Sequence, residues 1–311
     1  MKAIRTLPYK ILMLVAKPFD GTGIGRKFRP LRETYRRLAA ILIIPAQKSL
    51  VTVNNYKMFV HVEGYKGVDS VDHRLMVNGI WEAHITALFK QLVKKNMTVV
   101  DIGANIGYFT LLAASLVGEK GKVFAFEPVP QNYTLLVKNI EVNSYKNVTP
   151  VQKAVSNHAG KVKFFLDYDA LGQSSLFSVS ENLTEPITVD VVSLDEFFKG
   201  NEYSINIIKM DIEGAEMTVL LGMEKILENN NDLKIFTEFW PDGLLKSGFS
   251  AKEYWNKLEQ FGFKFIYLID DDKKRLEIVD FKDAVKRCQN TIFKRTTRHV
   301  NLLCAKSPIK L

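Results

Sequence analysis

The chain has 311 residues, 47% of them hydrophobic, which fits one large domain with an extension and excludes a disordered protein. Its net charge of +9 is uneven, because residues 1–48 carry +9, residues 282–311 carry +7 and the segment between them carries −7. An acidic central segment argues against a nucleic-acid groove, so we expect no nucleic-acid partner. Two cysteines outside any C-x-x-C pair indicate a reducing, cytoplasmic compartment.

Residues 1–48 form a basic, amphipathic N-terminal extension ahead of the main domain at 49–311. Tyr9–Phe19 is an apolar stretch interrupted by lysines, and Leu38–Ile44 is an apolar run that follows several arginines. Both are shorter than the roughly twenty residues that span a bilayer. Two interpretations stay open: a helical cap that packs on the domain, or peripheral contact with an anionic membrane at its cytoplasmic face.

From residue 49 onward, strands and helices alternate. Leu50–Val53 and Met58–Glu63 predict a β-hairpin around two asparagines, and a helix through His84 to Lys94 precedes the first central strand, which begins at Thr98. A β-rich insertion is predicted at 161–192. The other predicted elements are strands at 123–127, 148–155, 205–210 and 233–239, helices at 128–143 and 250–260, and antiparallel strands at 263–269, 276–279 and 300–305.

The most informative motif is the loop that follows the first central strand, with the pattern Asp101-x-Gly-x-Asn-x-Gly. Gly103 and Gly107 allow the backbone to turn sharply and a ligand to approach it. A helix starting near Asn105 is expected to aim free N–H groups at that ligand. Glu127 ends the next strand, where its carboxylate can accept hydrogen bonds from ribose hydroxyls. The pattern therefore indicates a nucleoside-containing ligand.

The spacing of the loop narrows the choice of ligand. A dinucleotide loop requires G-x-G-x-x-G, but Asn105 and Tyr108 occupy the second and third glycine positions. The Gly-Lys-Ser/Thr ending of a phosphate-binding P-loop is also missing. Asp101 suits a ligand that carries an ammonium group. S-adenosylmethionine, which combines an adenosine with an amino acid and has no phosphate, fits these features.

Three motifs in order, Asp101–Thr110, Phe126–Pro128 and Ile208–Glu216, resemble the FkbM family of class I S-adenosylmethionine-dependent methyltransferases. The resemblance covers about residues 79–305. It implies an α/β fold, a Rossmann-like seven-stranded methyltransferase sheet flanked by helices, here with an N-terminal helical and β extension. It also implies transfer of a methyl group to a hydroxyl, in this family usually of a sugar or a polyketide. The expected cofactor-binding residues are Glu82, Asp101, Gly103, Asn105, Gly107, Tyr108, Glu127, Pro128, Ser156 and Asp211.

Methyl transfer to a hydroxyl requires alignment of oxygen, methyl and sulfur, and removal of a proton from the oxygen. Asp211, helped by Glu213 or Glu216, is predicted to act as the base or to bind a divalent cation that acidifies the hydroxyl. His84 is an alternative base, since an unperturbed imidazole titrates near neutral pH. The metal requirement stays open.

Substrate contacts are predicted at Ser174 and Ser175 in the insertion, at Glu238 near the carboxyl end of a central strand, and at Trp240 just after that strand. Trp240 is chosen because the face of a tryptophan ring suits a sugar ring. The expected acceptor is a hydroxylated small molecule, most simply a sugar or glycolipid. The alternatives are a methyltransferase that acts on RNA or protein, and a membrane-surface binding protein that keeps the fold without the activity.

Overall fold

The computed structural model describes residues 50–60, 75, 79–164, 186–201, 203–270, 275–290 and 299–309. These residues form two compact units, one that ends at Trp81 and one that begins at Glu82. The predictions for residues 1–48, for the boundary after residue 48 and for Ser174 and Ser175 lie outside the described residues.

The first unit contains a β-hairpin of two strands, β1 (Leu50–Val53) and β2 (Tyr56–Phe59). The strands pair antiparallel, and the two residues between them, Asn54 and Asn55, have φ angles of 45° and 75°. Asparagine tolerates this left-handed conformation, and a two-residue turn with both φ angles positive matches the twist of a hairpin. The predicted hairpin and its asparagine turn are confirmed, but the second strand begins at Tyr56 and not at Met58, and residues 61–63 of the predicted strand lie outside the described residues.

The second unit alternates helices and strands in its first half, as the sequence predicts. In chain order its first elements are α1 (Ala83–Leu92), β3 (Thr98–Ile102), α2 (Tyr108–Val117), β4 (Lys122–Phe126), α3 (Pro130–Val142), β5 (Val148–Val151), β6 (Ala154–Val155), β7 (Gly160–Phe164) and β8 (Ile187–Val192). The elements that follow are α4 (Leu194–Phe197), β9 (Ile205–Met210), α5 (Glu216–Leu221), α6 (Glu224–Asn229), β10 (Lys234–Phe239), α7 (Pro241–Lys246), α8 (Ala251–Gln260), β11 (Phe265–Asp270), β12 (Arg275–Ile278), α9 (Phe281–Asn290) and β13 (Val300–Ala305).

The main sheet has the strand order β12-β11-β13-β10-β9-β3-β4-β5. The strands from β10 to β5 run parallel, and β13, β11 and β12 pair antiparallel. The seven-stranded α/β sheet is therefore confirmed, with β12 added as an eighth strand at its edge. All five residues of β3 are buried, as expected for a central parallel strand with both faces covered.

One predicted strand is divided in the structure. The segment predicted as a single strand at 148–155 stops at Val151, where the Lys153 N–H donates to the Val151 carbonyl at 3.0 Å and turns the chain. The next strand, β6, pairs instead with β8 in a separate three-stranded sheet of order β6-β8-β7. The β-rich character predicted for 161–192 is thus seen at both described ends of that segment.

The core of the second unit lies between the sheet and its helices and includes a cluster of large aromatic side chains. Phe239 from β10 packs edge-on against Trp255 and Phe281 and stacks with Tyr254. Burial of each such side chain contributes about 1.5–3 kcal/mol. No helix among the described residues is long and apolar enough to cross a membrane.

Candidate functional site

The loop between β3 and α2 has three residues in the left-handed conformation, Gly103, Asn105 and Gly107, with φ angles of 79°, 52° and 96°. As a result α2 begins at Tyr108, three residues later than predicted. A Cβ atom on Gly103 would lie 2.2 Å from the backbone oxygen of Asp211. Only glycine therefore allows the loop to lie directly against the carboxyl end of β9.

All five N–H groups from Gly103 to Gly107 donate within the protein. The first two donate to the Phe126 carbonyl, at 3.0 and 2.9 Å, and the third donates to Glu127 Oε2 at 2.8 Å. The fourth donates to Asn105 Oδ1 and the fifth to the Ala104 carbonyl, both at 2.8 Å. The expectation of free N–H groups is therefore wrong for these five. A loop without spare donors suits a ligand that has no phosphate, which agrees with S-adenosylmethionine.

Glu127 organises this loop from the end of β4. Its Oε2 accepts the Asn105 N–H and its Oε1 accepts the Val129 N–H at 2.9 Å. Burial raises the pKa of the Glu127 carboxyl to about 7, even though these hydrogen bonds favour the charged form. The Asn132 side chain also hydrogen-bonds to this carboxylate. A carboxylate has about four acceptor positions, so Glu127 can still accept a hydrogen bond from a ribose hydroxyl. The residues present thus fit the predicted cofactor.

Two of the predicted cofactor-binding residues, Asp101 and Tyr108, form hydrogen bonds within the protein. The Thr110 hydroxyl donates to Asp101 Oδ2 at 2.6 Å, which ties the end of β3 to the first turn of α2. Burial raises the pKa of the Asp101 carboxyl, against the lowering effect of the Lys209 charge. The hydroxyls of Tyr108 and Thr86 lie 3.0 Å apart and connect α2 with α1. Contacts of Asp101 and Tyr108 with the cofactor stay predictions.

A small cleft lies at the ends of β9 and β10, next to the start of α1. Its charged lining residues are Glu82, Lys209, Asp211 and Glu238. Glu82 has a φ angle of 42°, an uncommon conformation for a non-glycine residue. The remaining lining residues are Ile85, Met210, Phe236, Thr237, Ile269, Asn301 and Leu302. Three predicted site residues, Glu82, Asp211 and Glu238, are therefore brought together.

Asp211 connects the glycine loop with this cleft. Its N–H donates to the Ile102 carbonyl of β3 at 3.1 Å, its backbone oxygen faces Gly103, and it lines the cleft. The buried Lys209 ammonium lies 2.8 Å from Asp211 Oδ2 and 4.5 Å from the centre of the Phe109 ring. Burial alone would lower the pKa of Lys209, but the charges of its acidic neighbours outweigh burial and raise it. Lys209 lines the cleft, and the sequence analysis did not include it among the site residues.

The sequence contains a signal for Lys209. The run Ile205–Met210 is apolar except for Asn206 and Lys209, and only Lys209 is charged. A charge in a central strand is expected to have a partner. The partners of Lys209 depend on the fold, because the carboxylates of Asp211, Glu82 and Asp101 act on its ammonium group from three different parts of the chain.

The segment after β9 packs closely on the start of α7. A Cβ on Gly214 would lie 2.8 Å from the Gly243 backbone, and a Cβ on Gly243 would lie 2.2 Å from the Trp240 ring. Lys246 Nζ lies 5.6 Å from the centre of the same ring. Trp240 therefore has packing contacts and is not among the residues that line the cleft. Its role as a substrate contact stays a prediction.

Three further predicted residues lie apart from the cleft lining. His84, the second residue of α1, has a buried Nε2 atom without a hydrogen-bond partner in the described part of the chain. Glu213 has a φ angle of 51° in the turn after β9. Ser156 follows β6 of the small sheet, and its N–H donates to the Val192 carbonyl at 2.9 Å. The catalytic roles of His84 and Glu213 and the cofactor role of Ser156 stay predictions.

A second group that the sequence prediction missed is His299, just before β13. Its Nε2 lies 3.3 Å from Glu238 Oε1. Strands β10 and β13 pair antiparallel with Glu238 opposite Asn301, so His299 is the diagonal neighbour of Glu238 on the same face. Burial raises the pKa of the Glu238 carboxyl well above its usual range, and nearby carboxylates raise it further.

The sequence left open whether the enzyme binds a divalent cation. Among the residues that the structure describes, no three His, Cys, Asp or Glu side chains converge as a metal site would require. Asp211 is instead paired with an ammonium group.

The strand order, the glycine loop whose N–H groups donate within the protein, and the carboxylate after β4 define a class I S-adenosylmethionine-dependent methyltransferase fold. Residues 101–265 match the methyltransferase FkbM domain. The chain belongs to the FkbM family of methyltransferases.

Several named proteins are similar to this chain. The hexuronic acid methyltransferase AglP of Haloferax volcanii is 27% identical over 179 residues, which cover 56% of this chain and 71% of AglP. Methyltransferase 1 of Beauveria bassiana is 29% identical over 145 residues, covering 40% of this chain and 58% of that protein. A protein-L-isoaspartate O-methyltransferase of Methanococcoides burtonii is 39% identical over 70 residues, or 22% of this chain and 34% of that protein.

Among solved structures, Aeropyrum pernix fibrillarin with bound S-adenosyl-L-methionine has a TM-score of 0.42 and 10% identity. That alignment covers 85% of this chain and 86% of fibrillarin. An S-adenosylmethionine-dependent O-methyltransferase of Thermotoga maritima has a TM-score of 0.40 and 13% identity, with 84% of this chain and 78% of that chain covered.

Proposed function

We propose that this methyltransferase transfers a methyl group from S-adenosylmethionine to a hydroxyl of a sugar, a glycolipid or a similar small molecule. The observation that carries the proposal is the position of Asp211, which contacts the glycine loop through its backbone and lines the adjacent cleft. The cofactor-binding loop and a carboxylate-lined cleft therefore share a boundary. The similarity to a hexuronic acid methyltransferase supports a sugar acceptor.

The bound cofactor would supply an electrophilic methyl carbon on a positively charged sulfur, which keeps the carbon–sulfur electron pair when the methyl group leaves. The protein must hold the acceptor oxygen in line with that carbon and take up the hydroxyl proton. Carboxylates are suited to both tasks, because they accept hydrogen bonds and protons. Asp211, Glu82 and Glu238 line the cleft where such a hydroxyl would bind.

Among the three predicted catalytic residues, Asp211 has the strongest support. Lys209 holds one of its oxygens at 2.8 Å, which orients the carboxylate without a metal ion. A carboxylate oriented in this way can fix the acceptor hydroxyl by a hydrogen bond. We expect Asp211→Asn to bind S-adenosylhomocysteine with an affinity close to that of the wild type and to lose most of the turnover. Retention of full turnover would contradict a catalytic role for Asp211.

The cofactor assignment is tested by calorimetry with S-adenosylhomocysteine. Glu127→Gln keeps one acceptor oxygen, whereas Glu127→Ala removes the acceptors of two N–H groups. We expect the alanine variant to lose about 1–3 kcal/mol of binding free energy, or about 5-fold to 150-fold in affinity. The exposed Glu141 of α3 provides a matched control, since Glu141→Ala should bind like the wild type. Absence of binding to the wild-type protein would contradict the proposal.

The acceptor is tested with a methyl-labelled donor. Glucuronic acid, galacturonic acid, glucose and N-acetylglucosamine serve as probes, together with cell extract separated into glycans, lipids, RNA and protein. We expect label in the sugar, glycan or lipid samples. Label confined to RNA or protein would overturn the proposed acceptor class while leaving the methyltransferase assignment intact.

We also propose that residues 1–48 make peripheral contact with an anionic membrane. Support comes from their charge of +9 and their two short apolar runs. Flotation with anionic vesicles, with and without residues 1–48, tests the contact. Equal binding by both proteins would contradict it.

A further inference from the structure

Glu238, which lines the proposed acceptor cleft, is paired with His299, a residue to which the proposed function gives no role. Glu238 ends β10 and lines the cleft beside Asp211. Its Oε1 lies 3.3 Å from His299 Nε2. The Glu238 side chain is 11% exposed and the His299 side chain is 25% exposed, so the imidazole connects a buried carboxylate with solvent.

We propose that Glu238 takes the proton from the acceptor hydroxyl and that His299 carries this proton on to solvent. The inference rests on the proposed function and names the base of that reaction. It makes Glu238 a catalytic residue and His299 a proton carrier that also positions the carboxylate.

The contacts of the two carboxylates in the cleft differ in a way that separates their roles. Asp211 Oδ2 is held by the Lys209 ammonium at 2.8 Å, and this contact fixes the orientation of the carboxylate. Glu238 is paired with an imidazole, which can itself accept and release a proton near neutral pH. Asp211 is therefore suited to orienting the hydroxyl, and Glu238 to deprotonating it.

The charges around Glu238 strengthen its affinity for a proton. The carboxylates that act on it are Asp211 after β9, Glu213 and Glu216 around the start of α5, and Glu82 before α1. Two positive groups oppose them: Lys209, which lines the same cleft, and His299 when it is protonated. Burial and the four carboxylates raise the pKa of Glu238 well above its usual range.

The proposed step conserves atoms and charge. The O–H electron pair stays on the acceptor oxygen, which forms the new bond to the methyl carbon, and the proton moves to Glu238. It then passes from Glu238 Oε1 to His299 Nε2, and the imidazole releases one proton to water. One proton leaves for each methyl group transferred, which balances the loss of the sulfonium charge.

The first test needs no acceptor. The imidazole resonances of His299 are followed by NMR as pH changes and are assigned by their loss in His299→Gln. A neighbouring carboxylate favours the protonated imidazole, so Glu238→Gln should lower the midpoint of the His299 titration. His158, an exposed histidine in the turn before β7, provides the control, since Glu238→Gln should leave its imidazole resonances in place. An unchanged His299 midpoint would mean that no ionised carboxylate lies beside the imidazole, and it would overturn the assignment of Glu238 as the base.

The second test measures turnover with the acceptor that the labelled-donor assay identifies. Glu238→Gln should reduce kcat about 100-fold or more, because general-base catalysis typically contributes 10²–10⁴-fold. His299→Gln should reduce kcat with little change in KM, and added imidazole should restore part of it. His158→Gln should keep wild-type turnover.

Binding of S-adenosylhomocysteine separates the two levels of the proposal. Both Glu238→Gln and His299→Gln should bind it within about threefold of the wild type. If the variants bind the cofactor and Glu238→Gln still turns over at the wild-type rate, the base assignment is wrong and the proposed function stands. If the wild type itself neither binds cofactor nor labels any acceptor, the proposed function fails.

Discussion

Glu216 is the most deeply buried carboxyl group near the site, at 0% exposure in the first turn of α5. Its Oε1 accepts the Gly214 N–H at 3.2 Å, and its Oε2 has no hydrogen-bond partner in the described part of the chain. Burial raises the pKa of Glu216 from 4.5 to about 7, and the charge of Asp211 contributes to the increase. We therefore expect this residue to make stability depend on pH.

The direction and size of the effect follow from the pKa. Between pH 4.5 and about 7, the folded protein holds a proton on Glu216 that the unfolded chain has already released, so the free energy of unfolding falls as pH rises. The stabilising contribution of Glu216 is therefore complete below about pH 4.5 and is lost as pH rises through about 7. At about 1.4 kcal/mol per pH unit, the total is on the order of 3 kcal/mol, of which about 2 kcal/mol falls between pH 5.5 and 8. Glu216→Gln keeps the shape of the side chain and removes this dependence.

The assay is urea unfolding followed by tryptophan fluorescence at several pH values from 5.5 to 8. Relative to the wild type, Glu216→Gln should become more stable by about 2 kcal/mol over that interval. Glu228→Gln changes an exposed glutamate of α6 and should follow the wild type. If the stability of Glu216→Gln falls with pH as steeply as that of the wild type, Glu216 is ionised in the folded protein and our explanation is wrong.

Three further outcomes are expected. Gly103→Ala should lower the free energy of unfolding by about 1–3 kcal/mol more than Gly118→Ala. Both glycines have positive φ angles, but only a Cβ at Gly103 would meet backbone atoms. Equal losses in urea unfolding would contradict this. Thr110→Val should cost about 1–3 kcal/mol in the same assay, since it removes a 2.6 Å hydrogen bond to a buried carboxylate. Both cysteine thiols are buried and burial raises their pKa, so a thiol reagent should label them only on unfolding; rapid labelling of the native protein would argue against this packing.

Much of the fold could be predicted because its signals are local. The asparagine turn, the apolar run Ile205–Met210 and the final strand Val300–Ala305 have the predicted positions. The segment at 148–155 was harder, because a short turn after Val151 moves the chain into a second sheet without interrupting the apolar pattern. Its pairing with β8 depends on residues about forty positions further along the chain.

The candidate site also has some features that could be predicted from the sequence and others that could not. The sequence alone determined the ligand class, because the spacing of Asp101, Gly103 and Gly107 excludes a dinucleotide and a P-loop, and because Glu127 follows the next strand. Only the tertiary structure decided that the loop N–H groups are already used and that Asp211 is bound to Lys209. The physical reason is that hydrogen bonds and ion pairs form between side chains that distant strands bring together. The proximity of Glu238 to His299 exists only because β10 and β13 pair in one register, which local periodicity does not specify.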